Sequence, residues 1–553
     1  MIRSLIDSAA KSLEAQLAGP LSGSLGLATS PPIPGERVET TCFSPLPRTR
    51  GRGRGRGPAA DRDNVRNGML ILLSAAAALA AACAPAPQPA AAPQAGATVV
   101  TQAPELGPLR PYQLPPVEEF RLDNGMRVIL LQQRTMPLVT ARAIVDAGAS
   151  YEPAEKNGLA VLTGSLLAEG TRTLTGRQLA ERMEQLGAQF QTGASLSLAF
   201  ATVTAVKSTF PQALRLAAST LTEPSFPESE FTRVRTQAIA GWRQSQATVE
   251  GLASEAFSRA VFEATAAYSR PPGGTAASLE RIARADVVDW HRRMYAPGNT
   301  TLLLVGDLSL EEARSLAQET FGGWRATAQR LPQVANPAQP VTGTRVILVD
   351  RPGSVQSAIR VGQVGIGADD PDFLRLTALS QVLGGAFNAR INQNLRERHG
   401  WTYGAFTNFN ALRGTGTFLI SSSVRTNATD SALVESVREY RQIASEPIPP
   451  DELRGALSNL VGSFPTSVQT VQGLAQRMQT VLLYDLPLDY YSNYREQLAA
   501  LTSEKVLDLA RRRLTPDAIT VVVAGDLAAI EEPIRALNLG TVEVWSPAGE
   551  RLR

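Results

Sequence analysis

The sequence predicts an α/β (α+β) protein of two tandem homologous domains, each a mixed, largely antiparallel sheet packed with helices. Three observations carry this. RVIL occurs at residues 127–130 and again at 345–348, 218 positions apart. VGD at 305–307 is answered by AGD at 524–526, an offset of 219. Between these anchors, LERIARADVVDWHRRMYAPGNTTLLLVGD aligns with LAALTSEKVLDLARRRLTPDAITVVVAGD at nearly the same spacing. Three matches at one offset mark an internal duplication. Domain-size norms give each copy about 200 residues.

In chain order, the first 115 residues stand apart. Residues 1–64 are rich in Gly, Pro and Ser and end in the run RTRGRGRGRGP. Such a run reads either as a disordered RNA-binding arm or as an extension upstream of the true start. The second reading is preferred, because residues 65–83, VRNGMLILLSAAAALAAAC, have the layout of a signal peptide. The apolar stretch at 69–82 is too short for a lasting membrane span. Its end, Ala80-Ala81-Ala82-Cys83, resembles a bacterial lipobox without the usual first Leu, making Cys83 the expected lipidation site. A plain signal peptide cleaved at the same alanines is the alternative. Cys42 and Cys83 are the only cysteines, so no structural disulfide is expected. The Pro/Ala-rich residues 84–115 form a tether. Ala84 after Cys83, where Asp would retain a lipoprotein in the inner membrane, favours the outer membrane.

The folded body begins at residue 116. In FRLDNGMRVILLQ, two apolar-alternating runs flank Asp123, Asn124 and Gly125, a hairpin signal because Asn and Gly tolerate positive φ. The strand LVTARAIVDAGA leads into residues 148–171, GASYEPAEKNGLAVLTGSLLAEGT. A helix in TGRQLAERMEQLGAQ, ending at Gly187, precedes a strand pair in FQTGASLSLAFATVTAV. Helical regions are expected from 211 to about 222, from 227 to about 266 and from 278 to 295. The strand TTLLLVGD and an amphipathic helix from 310 to about 320 close a first domain at residues 116–325. Residues 326–342 are proline-rich and aperiodic, hence a linker. A second domain fills 343–548.

Hydrophobic content of 43% and charged content of 19% suit a soluble globular body. The net charge of +3 gives no argument for nucleic acid. There is no Cys-x-x-Cys pair, no G-x-S-x-G elbow and no P-loop, and Gly362, Gly365 and Gly367 do not make a dinucleotide fingerprint.

Residues 148–171 are informative for what they lack. From Asn157 onward they read as a buried helix closed by Glu169, Gly170 and Thr171. This frame resembles the active-site helix of the pitrilysin/insulinase-type zinc metallopeptidases, the inverzincins, whose signature is H-x-x-E-H. Aligned on Gly158, Gly170 and Thr171, the first His falls on Val161, the Glu on Gly164 and the second His on Ser165. Positions i, i+3 and i+4 share a helix face, which is how that signature aims two imidazoles at one zinc beside a base. Val161 has no ligand atom, Gly164 has no side chain, and Ser165 is a poor ligand. The third ligand of the family, a Glu some seventy-odd residues downstream, falls on Gly241. The chain holds only two histidines, His291 and His399, neither in a metal-binding spacing. The resemblance therefore implies no metal in this chain. Ser165 has no His–acid pair in sequence that would make it a nucleophile.

The second domain keeps more. GGAFNARINQNLRERHGWTYGAF, from Gly384, matches the second-domain signature of the same family, with Arg396 and Tyr403 seven residues apart. The resemblance implies that this pair contacts the scissile carbonyl of a substrate and stabilises the oxyanion, chemistry suited to a guanidinium and a phenol. Alone, an Arg near a helix end and a Tyr at a strand start are more often structural. The surrounding Leu395-Arg396-Glu397 and Gly400-Trp401-Thr402-Tyr403 favour function. His399 is expected to be satisfied or exposed.

The resemblance covers roughly residues 117–545 and implies a clamshell of two related domains around an extended peptide. The expectation is a zinc-less subunit of a bacterial heterodimer, inactive as a metallopeptidase alone. A zinc-bearing paralogue supplies H-x-x-E-H, this chain supplies Arg396 and Tyr403, and an unstructured peptide adds to a sheet edge. The expected location is the periplasm, at a membrane reached through the lipid on Cys83. Two rivals are a non-catalytic scaffold or peptide-binding protein on the same fold, and an autonomous hydrolase with a substitute metal or serine site.

Overall fold

Among the described residues, runs of Val, Ile and Leu build twelve strands, gathered into two six-stranded sheets. The computed structural model describes residues 113–553 except 328, 330, 332 and 333. The arm at 1–64, the signal-like segment with Cys83 and the tether as far as 112 lie outside the described residues. In the first half the strands are β1 (Val117–Arg121), β2 (Arg127–Gln132), β3 (Leu138–Val145), β4 (Gln189–Ala194), β5 (Ala199–Val206) and β6 (Thr300–Gly306). Its helices are α1 (Leu159–Leu166), α2 (Gly176–Gln185), α3 (Phe210–Thr222), α4 (Glu228–Gln246), α5 (Val249–Val261), α6 (Ala276–Glu280), α7 (Arg284–Met294) and α8 (Leu310–Phe321).

The second half repeats the plan. Its strands are β7 (Arg345–Asp350), β8 (Gln356–Gly365), β9 (Thr402–Ala411), β10 (Gly416–Arg425), β11 (Thr520–Gly525) and β12 (Thr541–Trp545). Its helices are α9 (Phe373–Ser380), α10 (Arg390–Asn392), α11 (Thr429–Ser445), α12 (Pro450–Ser467), α13 (Val471–Leu483), α14 (Tyr494–Ala499), α15 (Ser503–Arg513) and α16 (Leu527–Ala536). No helix among the described residues is long and apolar enough to cross a membrane.

The sheets run β1-β2-β6-β3-β5-β4 and β12-β7-β11-β8-β10-β9. Five strands of each correspond in order and sense. β2 is parallel to β6 as β7 is to β11, and the remaining neighbours in these five are antiparallel. RVIL opens both β2 and β7, so the duplication read from the sequence is the repeat of the fold. The sixth strand is where the halves part. β1 joins β2 antiparallel through the Asn124–Gly125 turn, whereas β12 arrives from the far end of the chain and runs parallel to β7.

Two expected helices are each split in two. Residues 227–266 divide into α4 and α5, because the Thr248 hydroxyl accepts from the Gly251 N–H at 3.1 Å and starts a new helix there. Residues 278–295 divide into α6 and α7, where the Asp286 carboxylate accepts from the Ala283 N–H at 2.9 Å.

The halves are fastened by exchanged helices. α5 and α13 both begin T-V-x-G-L-A, at residues 248–253 and 470–475, and Thr470 caps Gly473 at 3.0 Å as Thr248 caps Gly251. α5 leaves its own half to lie on β8 and β11. There Leu252, Ala256, Phe257 and Ala260 join a core with Ile347, Val349, Val522 and Ala524. α13 returns the exchange on β3 and β6, its Val471, Leu474 and Met478 sharing a core with Ile129, Leu131, Ile144, Leu303 and Val305. Each sheet is therefore roofed by the other half. Burying each such Leu or Val stabilises by about 1.5–3 kcal/mol, and all of these gains are lost on separation. The linker runs against the end of α5, with the Gln339 N–H donating to the Val261 carbonyl at 2.9 Å.

Candidate functional site

The first-half candidate is α1 and the loop before it. The helix starts at Gly158, whose φ of +100° demands glycine. Its first-turn N–H groups are met by Glu152, a buried carboxylate accepting from Gly158 N (2.7 Å), Ala160 N (2.8 Å) and Asn157 Nδ2 (2.8 Å). Burial pushes this carboxyl up to about 7, against the three hydrogen bonds that favour its charge. Glu152 lies in the stretch singled out from sequence, but nothing in its spacing marks it.

The positions aligned with the zinc signature are occupied otherwise. Val161 and Ser165 share a half-buried face, and the Ser165 hydroxyl donates to the Val161 carbonyl at 3.0 Å. Gly164 is buried against β4. A Cβ there would sit 2.5 Å from the Gly193 carbonyl carbon and 2.8 Å from the Ala194 nitrogen. Helix and strand approach more closely than any side chain permits, so a Glu has no room. Gly241 lies exposed on α4 with open space around it. A protein zinc site takes at least three ligands, and these four positions offer one hydroxyl that is already bonded. The residues present do not fit zinc. Among the described residues, no three His, Cys, Asp or Glu side chains gather where they could hold a metal.

Both histidines are engaged elsewhere. The His291 ring stacks on Tyr295 at 4.8 Å, and its Nε2 bonds the Leu221 carbonyl at 2.8 Å. Burial lowers its pKa to about 4. His399 is exposed and stacks on Trp401 at 4.1 Å.

In the second half, Arg396 and Tyr403 are brought together. Arg396 lies on a π-helical turn, Gln393–Arg398. Tyr403 is the second residue of β9. The guanidinium carbon sits 3.9 Å from the centroid of Phe387 and 5.2 Å from that of Tyr403, a cation held by two rings. Among the described residues its Nη1 is buried without a hydrogen-bond partner, and its Nε lies 3.5 Å from the Glu397 carboxylate. Tyr403 is 89% exposed and Phe387 56% exposed. Phe387 was not singled out from sequence. It stands in the quoted signature, but only the fold shows that a residue nine positions away touches Arg396.

β9 is a sheet edge. It pairs with β10 and with no other strand among the described residues, while its Ala405 N–H donates to Asn392 Oδ1 at 3.1 Å and its Ala411 carbonyl accepts from the Tyr484 hydroxyl at 3.1 Å. Beyond it lies a cavity of about 690 Å³ whose lining includes Ser254, Phe257, Arg360, Asn408 and Phe409. At the far end of the strand, the turn into β10 carries Arg413. Its guanidinium donates to the Tyr151 hydroxyl at 3.0 Å, to Asp146 at 3.4 Å and to the Leu483 carbonyl at 2.7 Å. The loop before α1 is thereby tied to the β9–β10 hairpin. Burial pushes both Asp146 and Tyr151 up, an effect that the Arg413 charge opposes.

A duplicated α/β unit whose positions aligned with the zinc signature hold no ligand set defines an inactive relative of a two-domain metallopeptidase. The chain belongs to the insulinase (peptidase M16) family. The insulinase family model matches residues 127–270 and the peptidase M16 inactive-domain model matches 281–460, together more than half of the chain. It is similar to the crystal structure of a peptidase M16 inactive domain from Pseudomonas fluorescens, 27% identical with a TM-score of 0.69, covering 74% of this chain and 98% of that one. It is also 20% identical to the non-peptidase homolog YmxG of Helicobacter pylori, over 72% of this chain and 91% of the relative. An uncharacterized zinc protease YmxG of Bacillus subtilis is likewise 20% identical, over 72% and 96%.

Proposed function

We propose that this chain is the zinc-less subunit of a periplasmic peptidase, supplying Arg396 and Tyr403 to a zinc-bearing paralogue that hydrolyses extended peptides. One observation carries the reading. The Arg396 guanidinium is fixed between Phe387 and Tyr403 with Nη1 unpartnered, at the start of a free sheet edge. A buried donor without a partner costs about 1–3 kcal/mol, and a bound carbonyl would recover it. The hydrolytic chemistry belongs to the partner. Arg396 and Tyr403 donate to the carbonyl oxygen as it gains negative charge, while β9 offers main-chain hydrogen bonds to the peptide.

The location is part of the proposal and rests on residues 65–83, with Cys83 carrying the lipid. Mass spectrometry of the native N-terminus tests it, since an unmodified start at another residue removes the anchor. The subunit role is tested by purification from native membranes. A co-purifying paralogue with intact H-x-x-E-H, and peptidase activity in the pair but not in either chain alone, is the expected result. A second reading, a non-catalytic scaffold or peptide-binding protein, is favoured by similarity to a protein named a non-peptidase homolog. Activity of the partner that is indifferent to this chain would select it.

A further inference from the structure

Arg360 on β8 makes no ion pair among the described residues. Its counterpart in the first half, 218 residues earlier, is Arg142 on β3. Each faces the exchanged helix of the other half. Arg360 Nη2 donates to Ser254 Oγ on α5 at 3.2 Å, and Arg142 Nη1 to Gln476 Oε1 on α13 at 3.5 Å. Ser254 and Gln476 each stand six residues after the capping Thr, so the whole arrangement is duplicated. Among the described residues neither guanidinium has a carboxylate within ion-pair distance.

The two sites then diverge. Arg142 is closed over by the Phe200 ring at 4.5 Å. Arg360 instead lines the cavity of about 690 Å³. Its Nη1 donates to the Ile359 carbonyl of its own strand at 3.0 Å. The acidic group whose field reaches it, Glu250, accepts from the Ser423 hydroxyl at 2.6 Å. Burial lowers the pKa of Arg360, an effect that the Glu250 charge opposes. A guanidinium so placed binds an anion strongly, because the desolvation has already been met by the fold.

The remaining wall selects among anions. On the sheet face that carries Arg360, Phe257 and Leu419 are apolar while Asn408 and Ser421 are polar; Phe409 lies on the opposite face against Phe373 and Phe418. A small inorganic anion leaves the apolar wall unmatched. A carboxylate carried by a peptide, beside an apolar side chain, matches both. The free edge of β9 runs from Tyr403 to residues 407–410 at the cavity, about 13–23 Å at about 3.3 Å per residue.

We propose that this cavity is a carboxylate subsite: a peptide laid along β9 from Arg396 and Tyr403 places a carboxylate, from its C-terminus or from an acidic side chain, on Arg360, with an apolar side chain against Phe257 and Leu419. The inference rests on the peptide-binding part of the proposed function and needs no zinc partner.

The test is fluorescence anisotropy on the full chain with four labelled, otherwise uncharged dodecapeptides. One has a free C-terminus, one an amidated C-terminus, one an amidated C-terminus with a single Glu, and one the same with Gln. At least one carboxylate peptide is expected to bind about tenfold or more tighter than its neutral match, the value of one charge-assisted pair. Which arm gains identifies the source of the carboxylate. Arg360→Gln is expected to abolish that preference and leave neutral-peptide affinity within about twofold. Ser421 lies directly across from Arg360, so Ser421→Glu supplies an internal carboxylate and is expected to abolish the preference as well, deciding the matter should Arg360→Gln fail to fold. Neutral binding with no carboxylate preference, or a preference that survives both variants, overturns the subsite alone. Failure of every peptide to bind overturns the peptide reading along with it.

Discussion

Gly164 and Gly193 meet backbone to backbone: a Cβ on Gly164 would lie 2.5 Å from the Gly193 carbonyl carbon. Loss of the general base is therefore built into the packing of α1 on β4, and reversing the sequence alone does not restore it. Gly164→Ala is expected to destabilise the chain by about 1–3 kcal/mol, the usual range for overpacking, with Gly164→Glu worse. The triple substitution Val161→His, Gly164→Glu, Ser165→His is expected to hold no stoichiometric zinc. Thermal unfolding and metal analysis of the purified variants check both statements, and one tightly held zinc per chain would refute the second.

Tyr403 is exposed, so its hydroxyl can be removed without disturbing the fold. Tyr403→Phe is expected to change stability by less than about 0.5 kcal/mol and leave assembly with the partner intact. In the reconstituted pair it is expected to lower turnover by about 10²- to 10³-fold, the usual loss for one oxyanion donor. Arg396→Ala is expected to match it and to weaken peptide binding as well. Peptidase assays on wild-type and variant pairs, with complex formation measured separately, decide the point. Unchanged turnover in both moves the protein to the scaffold class.

Leu474 belongs in sequence to the second half and packs on the sheet of the first. Leu474→Ala is expected to cost about 2–5 kcal/mol. Because α5 and α13 are each a roof for the other half, unfolding is expected as one cooperative transition. Fragments cut in the linker at 326–342 are expected to fold when co-expressed and to aggregate when made singly. Two separate calorimetric transitions, or a soluble and folded single fragment, would contradict this.

Glu152 and His291 give opposing pH dependences. The folded Glu152 carboxyl stands near 7, above its ordinary 4.5, so the folded chain keeps a proton that the unfolded chain has released. Its contribution is full below about 4.5 and is lost as pH rises through 7, by roughly 3 kcal/mol. His291 stands near 4, below its ordinary 6.5. Its contribution is full above about 6.5 and is lost as pH falls through 4, by a similar amount. Denaturant unfolding between pH 4 and 8 is expected to show stability rising with pH up to about 6.5 in Glu152→Gln. In His291→Phe it is expected to fall as pH rises from about 4.5 to 7. Parallel curves for both variants and wild type would show that neither group titrates in this way.

Much of this was legible in the residues. The matches at offsets of 218 and 219 determined two copies of one fold, because strand cores and turn residues keep their spacing when a unit is copied. The frame of Gly158, Gly170 and Thr171 around Val161, Gly164 and Ser165 determined that the ligand atoms are missing, since a side chain without a donor cannot bind zinc in any conformation. The resemblance of the run from Gly384 to the family's second-domain signature marked Arg396 and Tyr403. Other features were written in the sequence but carried no signal alone. T-V-x-G-L-A recurs at 248 and 470, yet a helix start says nothing about which sheet it will cover. The caps at Thr248 and Asp286 were hidden inside continuous helical periodicity.

What only the tertiary structure decided concerns groups distant in the chain. Periodicity is a local quantity, whereas contacts are set by how layers stack. Thus the sequence showed that Gly164 has no side chain, while the closeness of β4 explains why it can have none. Phe387 became the second wall of the Arg396 site only when the π-helical turn brought them together. Arg360 reads from sequence as one polar residue in a strand. The exchange of α5 and α13 turned it into a half-buried charge facing a cavity, because a roof borrowed from the other half stops short of β9 and leaves that edge uncovered.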